Sequence, residues 1–185
     1  KIVTKATTVK IKKTKFIGLL EIKFDIFSDK RGNFIKIFNK SNSKFFKNDC
    51  YESYINTSKK GVVRGLHGQL GKHSQDKLIY CIKGKIVDLA LDLRKNSKTY
   101  GKLYKKKISA KDSTAIFIPK GFVHGIVALE KETIIVNYCS TPYNQSNEFG
   151  IRLDSLPVKF KNLKLIFSEK DKMLPTYNEF IKKNI

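Results

Sequence analysis

The three histidines of this sequence, His67, His73 and His124, are its best candidates for transferring protons near neutral pH. His67 and His124 lie beside turns in glycine-containing segments, RGLHGQ and PKGFVHG. Taken singly, each histidine is explained as well by a hydrogen-bonded structural role as by catalysis. The sequence contains no H-x-H or H-x-x-x-H pair, so we expect no metal site unless the fold brings the three histidines together.

Arginine is used sparingly in a chain that is rich in lysine. The sequence has 38 basic and 16 acidic residues, a formal net charge of +22, yet only Arg31, Arg64, Arg94 and Arg152 are arginines. Such a charge is typical of proteins with a polyanionic partner, such as a nucleic acid, a membrane surface or a phosphorylated ligand. Because the lysines are dispersed rather than concentrated in one stripe, we expect most of them to be solvated surface charges. The arginines therefore indicate positions that need a planar, bidentate guanidinium.

The elements that must position these residues are short strands. Segments rich in Ile, Val, Tyr and Phe, each bounded by turn residues, occur at 16–24, 33–39, 51–56, 61–67, 77–82, 85–93, 113–119, 125–130 and 133–140. Strands at this spacing, without long helices between them, predict an all-β sandwich or barrel. A helical pattern occurs only near the C-terminus, where Ser168 is a candidate N-cap and residues 176–183 form a candidate helix.

Alternation along the segment KIVDLALDL separates two faces. Val87, Leu89 and Leu91 fall on one face, and Asp88 and Asp92 fall on the other. An aspartate in so apolar a strand either faces solvent or lines a ligand-binding interior, and the pattern leaves both possibilities open.

The segment TIIVNYCS alternates in the same way. Ile134, Val136 and Tyr138 fall on one face, so spacing alone makes Tyr138 a core or rim aromatic.

Length and cysteine content set the broad class of protein. With 185 residues, of which 41% are hydrophobic and 29% charged, the sequence predicts a single globular domain over residues 1–185. Cys50, Cys81 and Cys139 form no C-x-x-C pair, which argues against a disulfide framework or zinc knuckle and indicates a reducing compartment. The sequence shows neither a secretion signal nor the roughly 20 apolar residues that cross a bilayer. We therefore expect a cytoplasmic protein with no membrane partner.

The order of the motifs is more specific than any one of them. The succession DKRGNF, VVRGLHGQ, DKLIYCIKGKIVDLALDLRKNSKTYG, FIPKGFVHG, NYCSTPYN, GIRLDS and SEKDKMLP resembles the nucleotide-sugar 3,5-epimerases of the cupin superfamily, whose archetype is dTDP-4-dehydrorhamnose 3,5-epimerase. The resemblance covers about residues 20–175. It implies a cupin jelly-roll barrel, a homodimer with strand exchange near the N-terminus, and a site in the barrel mouth. It also implies catalysis without a metal or an organic cofactor, in polysaccharide or lipopolysaccharide precursor synthesis.

The resemblance also implies a reaction and a set of catalytic residues. The family's substrate is a nucleoside-diphosphate 4-keto-6-deoxyhexose, whose ketone acidifies the protons on C3 and C5 because their removal gives an enolate. His67 matches the base, and Asp171 matches the carboxylate that orients it. Lys77 matches the lysine that stabilises the enolate oxygen, and Tyr138 matches the tyrosine that returns a proton from the opposite face.

A further group of residues is expected to contact the substrate. Arg31 and Arg64 match arginines that bind the diphosphate or stabilise the site. The other positions assigned to the sugar and nucleotide are Gln69, Asp88, His124, Tyr143, Asn33 and Tyr54. Arg94 and Arg152 are instead expected to form structural ion pairs with neighbouring aspartates.

Several positions depart from the family pattern and leave the substrate open. Gly68 replaces a common aromatic, Asn33 a phenylalanine near the thymine, Lys36 a glutamate, and Glu52 and Tyr54 a glutamine and an asparagine. One alternative is a C3-only epimerase or a 3,4-ketoisomerase acting on a GDP-, CDP- or dTDP-linked hexose or heptose. A distant alternative is a basic polyanion-binding module, whose binding would fall steeply with added salt and show no base preference.

Overall fold

The computed structural model describes residues 9–38 and 50–184. Within these ranges the chain forms thirteen strands and two short α-helices. The strands are β1 (Val9–Lys13), β2 (Leu20–Phe24), β3 (Phe27–Asp29), β4 (Gly32–Phe34), β5 (Glu52–Ser58), β6 (Val63–Gln69), β7 (Lys77–Lys83), β8 (Lys85–Asp92), β9 (Leu103–Ser109), β10 (Thr114–Ile118), β11 (Phe122–Ala128), β12 (Thr133–Cys139) and β13 (Glu148–Gly150), and the helices are α1 (Glu169–Lys172) and α2 (Tyr177–Asn184). Residue 39, at the end of one predicted strand, lies outside the described ranges.

Two antiparallel sheets build the barrel. The six-stranded sheet has the order β1-β2-β10-β7-β12-β5, and the five-stranded sheet has the order β13-β6-β11-β8-β9. The chain passes repeatedly from one sheet to the other, for example through the one-residue connection at Gly84, whose φ of +80° suits glycine. This topology confirms the all-β jelly-roll prediction. In the described ranges, no helix combines the length and the apolar character needed to cross a membrane.

The space between the sheets is filled at one end by apolar side chains from both. Ile79, Ile116 and Ile135 of the six-stranded sheet pack against Ile86 and Ile126 of the five-stranded sheet, and all five are almost fully buried. Complete burial of a side chain of this size contributes about 1.5–3 kcal/mol. This apolar end leaves polar side chains to line the other end of the interior.

The orientation of β8 decides between the two possibilities that alternation left open. Leu89 and Leu91 pack on the outer face of the five-stranded sheet, beneath the C-terminal segment that includes Phe167 and Phe180. Asp88 therefore points between the sheets, where it is fully buried. The barrel-interior possibility is correct for this aspartate, and solvent exposure is excluded.

Asp92, at the end of β8, organises the loop that follows it. Its carboxylate accepts hydrogen bonds from Arg94 Nε at 2.8 Å, Ser97 Oγ at 2.7 Å and Thr99 Oγ1 at 2.7 Å. Burial alone would raise the pKa of Asp92, but these hydrogen bonds outweigh it and lower the pKa to about 2.

The expected structural ion pairs of two arginines are confirmed. Arg94 Nη2 lies 2.7 Å from Asp92 Oδ2, and Arg152 Nη2 lies 2.7 Å from Asp154 Oδ2. In the first pair the Asp92 side chain is fully buried from solvent, whereas both side chains of the second pair are partly exposed.

The Asp92 network predicts a destabilising substitution. Asp92→Asn removes charge-assisted hydrogen bonds, so we expect a loss of roughly 2–3 kcal/mol of unfolding free energy at pH 7, measured by urea denaturation. Because the folded pKa lies below the ordinary value of 3.8, the carboxylate stabilises above about pH 4 and loses this effect as the pH falls towards about 2. The difference between wild type and variant should shrink over that range. Asp154→Asn, in the exposed pair, should cost under about 1 kcal/mol, and equal losses in both variants would contradict this account.

Candidate active site

His67 and Asp171 form the centre of the candidate site. His67, on β6, pairs across the sheet with His124 on β11, and its Nε2 lies 2.6 Å from Asp171 Oδ1. Asp171 lies in α1, whose N-cap is Ser168 as predicted: the Ser168 hydroxyl accepts a hydrogen bond from the Asp171 backbone N–H. Burial raises the pKa of Asp171, but the hydrogen bond and charge of His67 outweigh it, so the net shift is downward. The structure brings together the predicted base and its carboxylate.

A second carboxylate, Glu148 on β13, also faces the ring of His67. Glu148 Oε1 lies 3.7 Å from His67 Nδ1, too far for a hydrogen bond but close enough for its charge to act on the ring. Glu148 is held by Lys170 Nζ and by the Tyr143 hydroxyl, which donates at 2.7 Å. Burial raises the pKa of Glu148, and its hydrogen bonds and nearby positive charges more than compensate. Sequence reasoning missed Glu148, which lies between the motifs NYCSTPYN and GIRLDS.

Gly150 packs against the ring of His67. Gly150 pairs with His67 across β13 and β6, and a Cβ atom at this position would lie 2.4 Å from the Leu66 carbonyl oxygen and 3.1 Å from His67 Cδ2. Any other residue would displace the imidazole or the strand that carries it.

His124 and Asp88 form a second buried histidine–carboxylate pair. His124 Nε2 lies 2.8 Å from Asp88 Oδ2, and both residues are buried. Asp88 Oδ1 is also buried, and within the part of the chain that the structure describes it has no hydrogen-bond partner. A buried carboxylate oxygen without a donor is a natural acceptor for a ligand hydroxyl. No three His, Cys, Asp or Glu side chains in residues 9–38 and 50–184 are grouped so that they could hold a metal ion.

The opposite wall of the interior belongs to the six-stranded sheet. Lys77 on β7 pairs with Cys139 on β12, and Tyr54 on β5 pairs with Asn137 on β12. Burial lowers the pKa of Lys77, although the negative charges of Glu148 and Glu52 oppose this shift. The Tyr54 hydroxyl and the Cys139 thiol are hydrogen-bonded, and burial raises the pKa of both, that of Cys139 to about 11.

The structure corrects the assignment of Tyr138. Its ring stacks on Phe38, with ring centroids 5.7 Å apart, on the outer face of the six-stranded sheet with Val136 and Leu78. Successive residues of a strand point to opposite faces, so the inward positions belong to the neighbours of Tyr138, Asn137 and Cys139. Tyr138 therefore does not reach the interior that holds His67, as its shared face with Ile134 and Val136 in the sequence already indicated.

The predicted anion-binding arginines occupy different places. Arg64 lies on β6 near His67, where Nε donates to Ser58 Oγ at 2.9 Å and Nη2 donates to the Thr57 carbonyl at 2.8 Å. Arg31 lies on the exposed β3–β4 hairpin and binds Asp29. The structure therefore places Arg64 against β5 and Arg31 against its own hairpin, and it does not bring the two together within the described part of one chain.

The remaining predicted substrate contacts fall into two groups. Asn33 lies on the same hairpin as Arg31, and its side chain accepts a hydrogen bond from Ser28. Gln69 is occupied by the backbone: its Nε2 donates to the His73 carbonyl at 2.9 Å, and its Oε1 accepts from the Asn144 N–H. Through its hydrogen bond with Asn144, Gln69 stabilises the loop that carries Tyr143.

Fold and site together define a cupin barrel with a histidine–carboxylate pair suited to proton transfer. The family profile described as dTDP-4-dehydrorhamnose 3,5-epimerase matches residues 13–179. A dTDP-4-dehydrorhamnose 3,5-epimerase of Methanothermobacter thermautotrophicus is 36% identical over 170 residues, which cover 86% of this chain and 90% of the relative. This chain belongs to the dTDP-4-dehydrorhamnose 3,5-epimerase family.

Solved structures of the family agree with this membership. The Sulfolobus tokodaii dTDP-4-dehydrorhamnose 3,5-epimerase superposes with a TM-score of 0.86 at 32% identity, covering 92% of this chain and 96% of that one. The Legionella pneumophila dTDP-6-deoxy-D-glucose-3,5-epimerase, solved in complex with dTDP-4-keto-L-rhamnose, superposes with a TM-score of 0.86 at 28% identity, covering 92% and 94%.

Thiol reactivity tests the placement of the two interior cysteines. Cys81 and Cys139 are buried, with pKa values raised to about 11, whereas Cys50 is partly exposed. We expect one thiol per chain to react with an aromatic disulfide reagent at pH 8 in the native state, and three after denaturation. Cys50→Ser should abolish the native reaction. Native reaction of two or more thiols would contradict the buried position of Cys139.

Proposed function

We propose that this protein is an epimerase that inverts C3, C5 or both of a nucleoside-diphosphate 4-keto-6-deoxy sugar through an enolate, without a cofactor. The observation that carries this proposal is the 2.6 Å contact of His67 with Asp171 inside the barrel, with the Lys77 ammonium on the facing wall. Such a reaction belongs to the synthesis of polysaccharide precursors. The free thiols of the described cysteines support a cytoplasmic location.

His67 removes the proton next to the ketone. Its Nε2–H donates to Asp171, which leaves Nδ1 with the lone pair and the capacity to accept a proton. Asp171 on one side and Glu148 on the other stabilise the imidazolium that forms. The dyad thus supplies a base of fixed tautomer and fixed orientation.

Lys77 stabilises the enolate oxygen. Its ammonium group lies in a partly buried setting of reduced dielectric, where its attraction for a developing oxyanion is stronger than in water. Asp88 and His124 at the base of the interior hold the sugar, with Asp88 Oδ1 accepting from a hydroxyl. Arg64 and the half-exposed Tyr143 bind nearer the mouth, where the nucleoside diphosphate enters.

A homodimer completes the nucleotide site. Arg31 and Asn33 lie on an exposed hairpin that is separate from both sheets of the chain, so a second copy is the place where they would contact substrate. The exposed apolar side chains of Ile55 on edge strand β5 and of Phe34 on the hairpin each support contact with a second copy.

The oligomeric state is measured by light scattering. We expect a mass twice that of the 21.2 kDa chain at micromolar concentration. A mass equal to one chain over the whole active range would overturn the dimer.

Deuterium exchange tests the catalytic dyad. Incubation with a dTDP-4-keto-6-deoxyhexose in deuterated water should place deuterium at C3, and His67→Asn should reduce this exchange at least ~10³-fold because the base is lost. Asp171→Asn should reduce it roughly 10²–10⁴-fold by releasing the imidazole from its productive tautomer. The matched control is Glu169→Gln, on the same helix but 88% exposed, which should exchange as wild type does.

The products separate the alternatives that share this chemistry. A time course by NMR distinguishes inversion at C3 alone, inversion at both carbons, and transfer of the ketone to C3. GDP- and CDP-linked hexoses and heptoses serve as further substrates. Absence of exchange with every 4-keto nucleotide sugar in the panel would refute the epimerase proposal.

A further inference from the structure

We propose that Tyr54 is the proton donor on the face of the sugar opposite His67, a role that rests on the proposed epimerase function. An epimerase needs such a donor, because His67 can return a proton only to the face from which it removed one. With Tyr138 on the outer face of the sheet, the group that acts from the wall facing His67 must be another one.

Strand register places Tyr54 in the interior. Tyr54 lies opposite Asn137 in the β5–β12 pairing, and residues opposite each other in a sheet project from the same face. That face also carries Cys139 and Lys77, which lie opposite each other in the β12–β7 pairing. Tyr54 as a whole is 38% exposed because β5 is an edge strand, but its hydroxyl end is turned inward to the Cys139 thiol.

Tyr54 and the proposed catalytic histidine are both influenced by one carboxylate. The charge of Glu148 acts on Tyr54, and Glu148 is the carboxylate that lies 3.7 Å from His67 Nδ1. The same carboxylate acts on Lys77. The charge of one carboxylate thus acts on His67 from the five-stranded sheet and on Tyr54 from the six-stranded sheet, as expected of two groups that flank one bound sugar ring.

Three other tyrosines are placed less well for this step. Tyr143 donates its hydroxyl to Glu148 beside His67, and so belongs to the wall of the base. Tyr104 donates to Glu21 Oε1 at 3.2 Å, within the apolar end of the barrel. Tyr80 lies on the outer face of the six-stranded sheet, with its ring edge-on to Phe24.

The neighbours of Tyr54 do not replace it as donor. Asn137 presents an amide, which is not an acid near neutral pH, and its Nδ2 donates to Asn56 Oδ1 at 3.1 Å. Cys139 is fully buried and engaged by the phenol itself. Burial and nearby carboxylates raise the pKa of Tyr54, so the phenol keeps its proton until an enolate carbon is formed beside it.

The step is balanced by solvent protons. The C3–H bond breaks and its proton moves to His67 Nδ1, while the electron pair forms the enolate. The O–H bond of Tyr54 then breaks, and a new C3–H bond forms on the opposite face as the enolate returns to the ketone. The phenolate takes a proton from water, and the imidazolium releases one to water.

Tyr54→Phe separates proton removal from inversion. With dTDP-4-keto-6-deoxy-D-glucose in deuterated water, we expect the variant to exchange the C3 proton within about threefold of the wild-type rate, because the base is intact, and to invert C3 at least ~100-fold more slowly. Tyr80→Phe is the matched control for loss of a phenol and should change neither rate. Thermal denaturation confirms that each variant is folded.

The outcomes distinguish this proposal from the function on which it rests. A wild-type protein that neither exchanges nor inverts refutes the epimerase function and the donor with it. A wild-type enzyme that inverts, together with a Tyr54→Phe variant that inverts at the same rate, overturns only the donor. Loss of inversion in Tyr138→Phe with inversion intact in Tyr54→Phe would likewise overturn it.

A double variant provides a second test. Because Tyr54 and Asn137 are register partners, exchanging them in Tyr54→Asn/Asn137→Tyr keeps a phenol on the inward face one strand away. We expect this variant to regain at least ~10-fold of the inversion lost in Tyr54→Asn alone. A folded double variant that inverts no faster than Tyr54→Asn contradicts the requirement for a phenol at this place.

Discussion

The hydrogen bond between His67 and Asp171 ties together parts of the chain that are 104 residues apart. It joins a central strand of the five-stranded sheet to the short helix α1, which is too brief to be stable alone and depends on its Ser168 cap and on packing. The apolar layer beneath the C-terminal segment holds that helix against the sheet. Packing on the outer face of the barrel thus fixes the position of the carboxylate that His67 contacts.

The two walls of the interior differ in chemical character. The five-stranded sheet contributes imidazole rings held by carboxylates, whereas the six-stranded sheet contributes an ammonium group, a thiol and a phenol. A proton acceptor and proton donors therefore face each other across the barrel. Each wall is rigid because antiparallel pairing fixes which side chains it projects inward.

Much of the fold and part of the site followed from the sequence. Hydrophobic alternation located most of the strands, and the motif order identified the His67–Asp171 pair and the inward cluster around Asp88. β9 was missed because Lys105, Lys106 and Lys107 interrupt its apolar pattern, although it is paired throughout with β8. The predicted strand at 33–39 was too long: β4 ends at Phe34.

The error at Tyr138 has a different physical origin. A motif match tolerates a shift of one residue, but a strand does not, because a shift of one residue reverses the face. The alternation correctly placed Tyr138 on one face with Ile134 and Val136. The catalytic assignment followed the motif match instead. The positions of Arg31 and Asn33 could not be derived from local pattern, since they depend on a hairpin that packs in neither sheet.

The unpartnered oxygen of Asp88 also bears on the affinity of the barrel for a ligand. A buried acceptor without a donor costs about 1–3 kcal/mol relative to a satisfied one, and among the described residues nothing relieves that cost at Asp88 Oδ1. A ligand that brings a hydroxyl to this oxygen removes the penalty as it binds. Asp88 Oδ1 is thus a position at which one hydrogen bond from a ligand hydroxyl adds to affinity.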